Sequence, residues 1–208
     1  IKQLQIAVNK ITKVIVDILS QNNKKIPVLL SSSTQADLDN DYGKSKLEAE
    51  NTLLEYNKTT NANVFIYRLP NVFGKWSKPN YNSVIATWCH NISNNLEIQV
   101  NNKDAELSLV YVDDVIKSFI EQLTARGDTN YYEVDVVYKK TLGEIEDLLW
   151  QFKNNRNTLI IPNVASGFER ALYATYLSYL PTNDFSYTLI GNKDERGTFY
   201  EVLKTLNS

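Results

Sequence analysis

The sequence of 208 residues is poor in the residues that bind metals and form disulfides, with one cysteine, one histidine and no methionine. The single Cys89 excludes a disulfide within the chain, and Cys89 with His90 cannot supply the ligands of a zinc site built from these two residue types. Any histidine-based acid, base or Ser-His-Asp triad would need His90, which has no acidic neighbour in sequence. We therefore predict no metal site, a buried apolar Cys89 and a structural His90.

The chain also lacks an excess of positive charge and any long apolar run. Its 22 lysines and arginines face 24 acidic residues, for a net charge of −2. This balance argues against a nucleic-acid or membrane-surface binder, whose affinity comes from clustered basic residues. No run approaches the roughly 20 apolar residues of a membrane span, and the first residues lack the plan of a signal peptide. We predict a cytoplasmic protein without nucleic-acid or membrane partners.

Hydrophobic spacing predicts alternating helices and strands in the first third of the chain. A first helix is indicated by apolar residues at steps of three and four: Leu4, Ala7, Ile11, Val14, Ile15, Ile18 and Leu19. We expect this apolar face to be buried. The apolar run "IPVLL", a helix over 42–57 and a second strand over 63–67 follow. The order α, β, α, β predicts a doubly wound α/β fold with a parallel sheet.

The rest of the chain reads as mixed helices and short strands. Predicted beyond the second strand are helices near 82–93 and 113–123, strands near 97–100 and 107–111, and capping boxes at Thr141–Glu144 and Ser166–Glu169. Near residue 182 the composition changes to short strand-like runs with glycine turns. We therefore expect one domain over 1–181, followed by a linker and the opening strands of a β domain over 182–208.

Two stretches carry candidate chemistry. In "DYGKSK", Tyr42 and Lys46 would share one face of a helix, and an ammonium beside a phenol stabilises the phenolate used in acid–base catalysis. In "SSS", Ser31, Ser32 and Ser33 follow a predicted parallel strand, at the sheet edge where α/β proteins bind ligands. Taken separately, each stretch is equally well an exposed helix start or a polar strand end.

Their succession resembles the extended short-chain dehydrogenase/reductase family over about residues 1–180. The matching motifs, in order, are Ser33, Tyr42-x-x-x-Lys46, "RLPNVFG" at 68–74 and "YVDDV" at 111–115. Asn9 is also similar to the helix asparagine that completes the family's Asn-Ser-Tyr-Lys set. The resemblance implies a partial Rossmann-like sheet that lacks its first strands.

The resemblance also implies roles for individual residues. Tyr42 would transfer the proton, Lys46 would assist it and hold the nicotinamide ribose, and Ser33, with Ser32 as the second choice, would bind the reacting oxygen. The implied contacts to the cofactor NADP(H) are made by Ser31, Tyr42, Lys46, Pro70, Val72 and Phe73. Those to the substrate are made by Asn71, Lys75 and Lys78. Asp114 would be structural, since in the family it mainly anchors the helix after its strand.

The stretch "RLPNVFGKWSKPNYNSVIATWCHNI", together with "YGKSK" and "LSYLPTNDFSY", supports a finer resemblance. It is similar to the bifunctional reductases of bacterial UDP-N-acetyl-L-fucosamine synthesis, in which a cupin domain follows the reductase domain. The tail "DERGTFYE" at 194–201 is similar to the opening of a sugar-epimerase cupin, although it also fits an ordinary hairpin. A cupin tail would favour a homodimer. The implied substrate is a UDP-amino-sugar of capsular polysaccharide synthesis.

The sequence departs from the family in two places. The turn G-x-x-G-x-x-G that receives the cofactor pyrophosphate is absent, so either the chain begins after it or the protein binds no dinucleotide. The missing methionine and the opening within a helix favour a chain truncated at both ends, inactive by itself. Leu107 replaces an arginine that in many members meets the uridine diphosphate, which leaves Lys75 or Lys78 as substitutes.

The favoured hypothesis is an NADPH-dependent reduction of the 4-keto group of a UDP-2-acetamido-2,6-dideoxy-hexulose. One alternative is a nucleotide-sugar 4-epimerase or dehydratase. Thr34 and Gln35 stand where dehydratases typically carry an acidic pair, which tells against a dehydratase. The other alternative is a non-catalytic dinucleotide sensor, which would need no proton donor.

Overall fold

The computed structural model describes residues 2–125, 127–165 and 167–205. In chain order its elements are α1 (Lys2–Gln21), β1 (Val28–Ser33), a 3-10 helix (Thr34–Asp37), α2 (Asp41–Thr60), β2 (Val64–Leu69), β3 (Asn71–Phe73), α3 (Val84–Ser93), β4 (Glu106–Tyr111), α4 (Val112–Ala125), β5 (Asn130–Tyr132), β6 (Tyr138–Thr141), α5 (Leu142–Thr158), α6 (Gly167–Leu177), a second 3-10 helix (Thr182–Asp184), β7 (Gly191–Asp194) and β8 (Gly197–Tyr200). They divide between two compact units. The first runs through Pro70 and resumes at Asp113–Val137, and the second comprises Asn71–Val112 and the chain from Tyr138 onward.

The first unit is built on a parallel sheet in the order β1-β2-β5. Strand β2 is almost entirely apolar and buried, as expected of a strand covered on both faces. Its core with α2 is formed by Leu53, Tyr56, Ala62, Val64 and Ile66. The predicted α/β fold with a parallel sheet is therefore confirmed, and β1 ends at Ser33 on the same edge as the end of β2.

Helix α1 forms as predicted, but only part of the face expected to be buried is covered. Leu19 packs against the core of this unit as predicted, whereas the side chains of Ile11, Val14, Ile15 and Ile18 are 45–57% exposed. The predicted burial of Leu4 and Ala7 lies outside the described side chains. The helix also turns Thr12 and Val16 inward, the latter against the same core. Periodicity tells which residues share a face, but a neighbouring element decides which face it covers, and α2 meets the Thr12 side.

The second unit has its own mixed sheet, β3-β4-β6, with β4 parallel to β3 and antiparallel to β6. Helices α3, α5 and α6 supply most of its core, in which Cys89 is fully buried, as predicted. Burial raises the pKa of the Cys89 thiol. The predicted capping box of Thr141 and Glu144 is confirmed at the start of α5. The prediction for Ser166 lies outside the described residues.

Residues 97–100, predicted as a strand, have no regular secondary structure, although Ile98 and Val100 pack against the core of the second unit. The short apolar run is thus used for packing without a strand partner.

Asp114 lies in the first turn of α4, where the helix dipole stabilises a carboxylate, in keeping with its predicted structural role.

The last described residues form the predicted short strands. Strands β7 and β8 pair as an exposed antiparallel hairpin, and the Lys204 backbone then bonds to Leu159 and Ile161 at 2.7 and 3.0 Å. That this segment opens a cupin-like domain stays a prediction.

Among the described helices, none combines the length and hydropathy of a membrane span.

Candidate active site

Tyr42 and Lys46 lie on the first two turns of α2, as the sequence predicts. The helix begins after Asn40, whose side-chain oxygen accepts a hydrogen bond from the Gly43 amide at 2.7 Å. The Lys46 Nζ atom lies 5.7 Å from the centre of the Tyr42 ring, and both side chains are half-buried. The structure therefore brings the ammonium and the phenol together on one helix face.

Lys46 is held against the end of β1. Its Nζ atom donates a hydrogen bond to the Ser31 carbonyl at 2.9 Å. Burial lowers the pKa of Lys46, while the negative charge of Glu50, one turn further along α2, raises it. The carboxyl end of β1 and the Tyr42–Lys46 face of α2 are thus directly connected.

Helix α2 approaches the segment after β1 closely at Gly43, the residue that follows Tyr42. A Cβ atom added at Gly43 would lie 2.2 Å from the Gln35 carbonyl oxygen and 2.5 Å from that of Leu38. Only a residue without a side chain allows this approach of the helix to backbone. The first turn of α2 is therefore packed on residues 35–38, whereas the convergence of Tyr42 with Ser33 stays a prediction.

The two candidate serines have different environments. Ser33 is buried, and its hydroxyl oxygen accepts a hydrogen bond from the Gln35 amide at 3.2 Å, capping the 3-10 helix. A hydroxyl that accepts one hydrogen bond can still donate its hydrogen to another oxygen. Ser32 is also buried, but it donates to the Glu50 carboxylate. This difference favours Ser33 over Ser32 as the residue that binds a reacting oxygen.

Asn9 packs against α2 but contacts a residue that sequence reasoning did not consider. Its side-chain nitrogen donates to the Glu48 carboxylate, and its side-chain oxygen is buried without a hydrogen-bond partner in the described part of the chain. The distance along α2 from Lys46 to Glu48 is only two residues. The role of Asn9 in an Asn-Ser-Tyr-Lys set stays a prediction.

The remaining predicted residues include Pro70, which ends the first unit, and Asn71, which opens β3 in the second. The Asn71 side chain donates to the Ser108 carbonyl at 3.3 Å. Val72 is exposed, whereas Phe73 is buried in the core of the second unit, with ring centres 5.4 Å from Tyr111. The predicted contacts of Pro70, Val72 and Phe73 to a cofactor remain predictions, and the visible function of the Phe73 ring is packing.

Lys75 and Lys78 lie in the loop that follows β3. The Lys75 Nζ atom is 5.8 Å from the ring centres of Trp76 and Tyr111, and that of Lys78 is 5.8 Å from Tyr81. Cations over aromatic faces at this distance gain a modest attraction. Their predicted contacts to a nucleotide diphosphate are not tested by this arrangement.

The first unit contains a polar network that sequence reasoning missed. Glu50 is fully buried and ion-paired with Arg68 at 2.7 Å, and Arg68 also pairs with Asp37 at 2.7 Å. The Tyr131 hydroxyl donates to Glu50 at 3.2 Å, and Arg68 stacks on the Tyr131 ring at 4.8 Å. The hydrogen bond to Glu50 raises the pKa of Arg68, and burial, followed by the Glu50 charge, raises that of Tyr131. The sequence feature that could have pointed to this network is Arg68, a charged residue within the otherwise apolar strand "VFIYRL".

Within the described ranges, no group of three or more histidine, cysteine, aspartate or glutamate residues could hold a metal ion. The parallel sheet, with Ser33 at the end of β1 and the Tyr42–Lys46 pair of α2 attached to β1 through the Ser31 carbonyl, defines the class of protein: a Rossmann-like α/β fold with a candidate site at the sheet edge.

The chain belongs to the NAD dependent epimerase/dehydratase family, whose model matches residues 19–134. Over all 208 residues it is 43% identical to a UDP-2-acetamido-2,6-beta-L-arabino-hexul-4-ose reductase of Pseudomonas aeruginosa, of which it covers 56%. The crystal structure of the capsular polysaccharide assembling protein CapF from Staphylococcus aureus matches 93% of the chain at 50% identity and a TM-score of 0.86, with 53% of that protein covered. The chain thus spans about half the length of these relatives.

More distant structures share the fold. The RMD protein of Pseudomonas aeruginosa, solved in complex with NADPH, is 22% identical over 69% of the chain, with 55% of that protein covered and a TM-score of 0.61. At this identity the similarity shows the Rossmann-like fold alone, and it agrees with the parallel sheet of the first unit.

Proposed function

We propose that the intact protein reduces the 4-keto group of a UDP-2-acetamido-2,6-dideoxy-hexulose with NADPH, in the synthesis of UDP-N-acetyl-L-fucosamine for a bacterial capsule. The observation that carries the proposal is the Tyr42–Lys46 pair on α2, held against the end of β1. The names of the two similar proteins, a UDP-hexulose reductase and a capsular polysaccharide assembling protein, support the substrate class.

The residues of the first unit fit the nicotinamide end of the cofactor. When bound, the cofactor supplies a hydride to the carbonyl carbon. Lys46, Tyr42 and Ser31 would hold its ribose, since the half-buried ammonium and the exposed serine present donors and acceptors to a diol. The glycine-rich turn that would cradle the pyrophosphate has no counterpart in the sequence given.

The protein's own groups perform the proton transfer. The Ser33 hydroxyl would donate a hydrogen bond to the ketone oxygen, where negative charge develops as the carbonyl is reduced. Tyr42 would donate its phenolic proton to this oxygen, leaving a phenolate beside the Lys46 ammonium. This electrostatic stabilisation of the phenolate is the reason for the four-residue spacing.

The variant Tyr42→Phe of the intact protein tests the proposal. Loss of the proton donor is expected to lower kcat by about 10²- to 10⁴-fold with little change in KM, because proton transfer contributes in the transition state. Tyr200→Phe removes a phenol of the same chemistry in the exposed strand β8 of the second unit and is the control. Normal turnover by Tyr42→Phe would refute the mechanism.

Product analysis separates reduction from epimerisation. A reductase consumes one NADPH for each product molecule, whereas an epimerase recycles its hydride and consumes none. Tight NADPH binding without turnover of any keto sugar would instead support a sensor. A homodimer and a cytoplasmic location also remain part of the proposal, to be examined by sedimentation and by cell fractionation.

A further inference from the structure

Glu50 is a buried charge that the proposed chemistry does not use. Its carboxylate is fully buried and accepts hydrogen bonds from the Ser32 hydroxyl, from the Tyr131 hydroxyl at 3.2 Å and from Arg68 Nε and Nη2 at 3.0 and 2.7 Å. Burying a carboxylate is costly unless it is paired and hydrogen-bonded. The partners that offset this cost come from three strands, β1, β2 and β5.

The position of Glu50 links it to the catalytic face of α2. Tyr42, Lys46 and Glu50 follow one another at steps of four residues and so form one stripe along the helix. Lys46 bonds to the carbonyl of Ser31, and Glu50 bonds to the side chain of Ser32. Two successive turns of α2 are therefore attached to two successive residues of β1, immediately before Ser33.

A two-point attachment restricts both sliding and rotation of the helix. The core packing of Leu53 and Tyr56 holds the far half of α2, and the contacts of Lys46 and Glu50 attach its near half to β1. The contact at Glu50 opposes small rotations about the Lys46 contact that would displace Tyr42, and the guanidinium of Arg68 fixes the carboxylate through two nitrogen atoms. Since a misplacement of about 1 Å can reduce catalysis about 10²-fold, this restriction matters for the reaction.

The charges around Lys46 are balanced across the network. Its own helix contributes Tyr42 and Glu50, and β1 contributes the Ser31 carbonyl. Glu50 in turn faces Arg68 of β2 and Tyr131 of β5, and Asp37 of the 3-10 helix pairs with the same arginine. The carboxylates of Glu50 and Asp37 thus offset the two cations. Of these charges, Glu50 is the one that opposes the effect of burial on the Lys46 ammonium.

We propose that Glu50 is a positioning residue for the Ser33, Tyr42 and Lys46 site, because it locks α2 to the end of β1 through Ser32 and Arg68. The inference rests on the proposed function in one respect: it takes this site to be the catalytic one. It adds a role for a residue four positions beyond the Tyr-x-x-x-Lys motif.

The experiment compares Glu50→Gln and Ser32→Ala with Glu55→Gln in the intact protein. Glu55 lies on the same helix, is exposed and forms a loose ion pair with Lys58 at 3.6 Å, so Glu55→Gln is the matched control. Glu50→Gln is expected to lower kcat about 10- to 100-fold, with a smaller change in KM. The alkaline limb of its pH profile should move to lower pH, because removing a negative charge lowers the pKa of neighbouring groups. The control Glu55→Gln is expected to keep the wild-type kcat and the wild-type pH profile.

A second readout does not depend on turnover. The titration of Lys46, followed by NMR with isotope-labelled lysine and assigned with Lys46→Arg, should move to lower pH in Glu50→Gln and stay unchanged in Glu55→Gln. If the wild-type protein fails to reduce the keto sugar, the proposed function fails, but this titration still decides whether Glu50 acts on Lys46. An unchanged kcat and an unchanged Lys46 titration in folded Glu50→Gln would overturn the inference.

Ser32→Ala keeps the result decisive if Glu50→Gln does not fold. This variant retains the ion pair of Glu50 with Arg68 and removes only the link to β1. A several-fold loss of kcat in the folded variant supports positioning through Ser32. A folded Ser32→Ala protein with wild-type kcat and wild-type Lys46 titration refutes it.

Discussion

Gly43 offers the sharpest test of how α2 is placed. In most helices, replacing glycine by alanine stabilises the protein by about 1 kcal/mol, since alanine loses less backbone freedom on folding. At Gly43 the new Cβ atom would lie 2.2 Å from the Gln35 carbonyl oxygen and 2.5 Å from that of Leu38. Both contacts are with backbone, so neither can be relieved by turning a side chain.

The magnitude follows from these distances. The closer contact is about 1 Å short of an ordinary van der Waals separation, so the start of α2 must move by a comparable amount. Overpacking of this kind costs about 1–3 kcal/mol, which exceeds the helix gain by about 0–2 kcal/mol. The effect on kcat should be larger, about 10- to 100-fold, because the displaced turn carries Tyr42.

The assay pairs denaturant unfolding with turnover of the keto sugar by the intact protein. Gly143→Ala is the control, because Gly143 also lies in the first turn of a helix but its Cβ would meet Lys103 at 3.2 Å, about 1 Å farther than the nearest contact at Gly43. This milder contact opposes the helix gain of alanine, so the control is expected to change little in stability and to keep its kcat. If Gly43→Ala were as stable and as active as the wild type, the close approach of α2 to residues 35–38 would not position Tyr42.

Two further predictions concern charged pairs. Arg68→Met removes the cation paired with the buried Glu50 and is expected to destabilise the protein by about 3–5 kcal/mol in denaturant unfolding. Hydrogen bonds from Lys140 and from the Thr141 amide lower the pKa of Glu144. The resulting stability is present above the pKa of an unfolded glutamate and is lost as the pH falls through the lower folded value. The difference in unfolding midpoint between wild type and Glu144→Gln should therefore shrink in acid.

These predictions have matched controls. Arg196→Met removes an arginine that is 90% exposed and pairs only at the surface with Asp194, so its effect should stay within about 1 kcal/mol. A similar small effect of Arg68→Met would contradict the claim that Glu50 depends on its cation. For Glu144, a stability difference that does not change between neutral and acidic pH would show that its charge contributes nothing.

The proximity of Tyr42 and Lys46 could be predicted because its geometry is local. The helical repeat places Tyr42 and Lys46 on one face whatever the helix packs against, and Asn40 is a residue that readily caps a helix. The serines were predicted at the end of β1 for a similar reason, since the apolar run before them reads as a buried strand. Local patterns were sufficient wherever the relevant contacts lie within one element or its cap.

The choice between the serines could not be made in this way. Ser32 and Ser33 are adjacent in sequence, but they point to opposite sides of an extended strand. One donates to Glu50 and the other caps the following 3-10 helix. Which of them is committed to the interior depends on α2 and β2, which are distant in the chain.

Contacts between elements distant in the chain also explain which predictions were wrong and which residues were missed. The apolar stripe of α1 with Ile11 and Val14 was expected to be buried, yet α2 packs on the neighbouring face. Glu50 was not singled out by any sequence pattern, because its burial and its pairing with Arg68 depend on contacts between α2 and β2. Phe73 lies within a recognisable motif, but its ring is taken up by the core of the second unit.

The sequence by itself therefore determined the order of helices and strands, the shared face of Tyr42 and Lys46, and the serines at the end of a parallel strand. Each of these depends on residues within a few positions of one another. Tertiary structure decided which serine stays available, which face of α1 is covered, and that a buried Glu50 ties α2 to β1. Burial and ion pairing arise between elements far apart in the chain, so no local pattern encodes them.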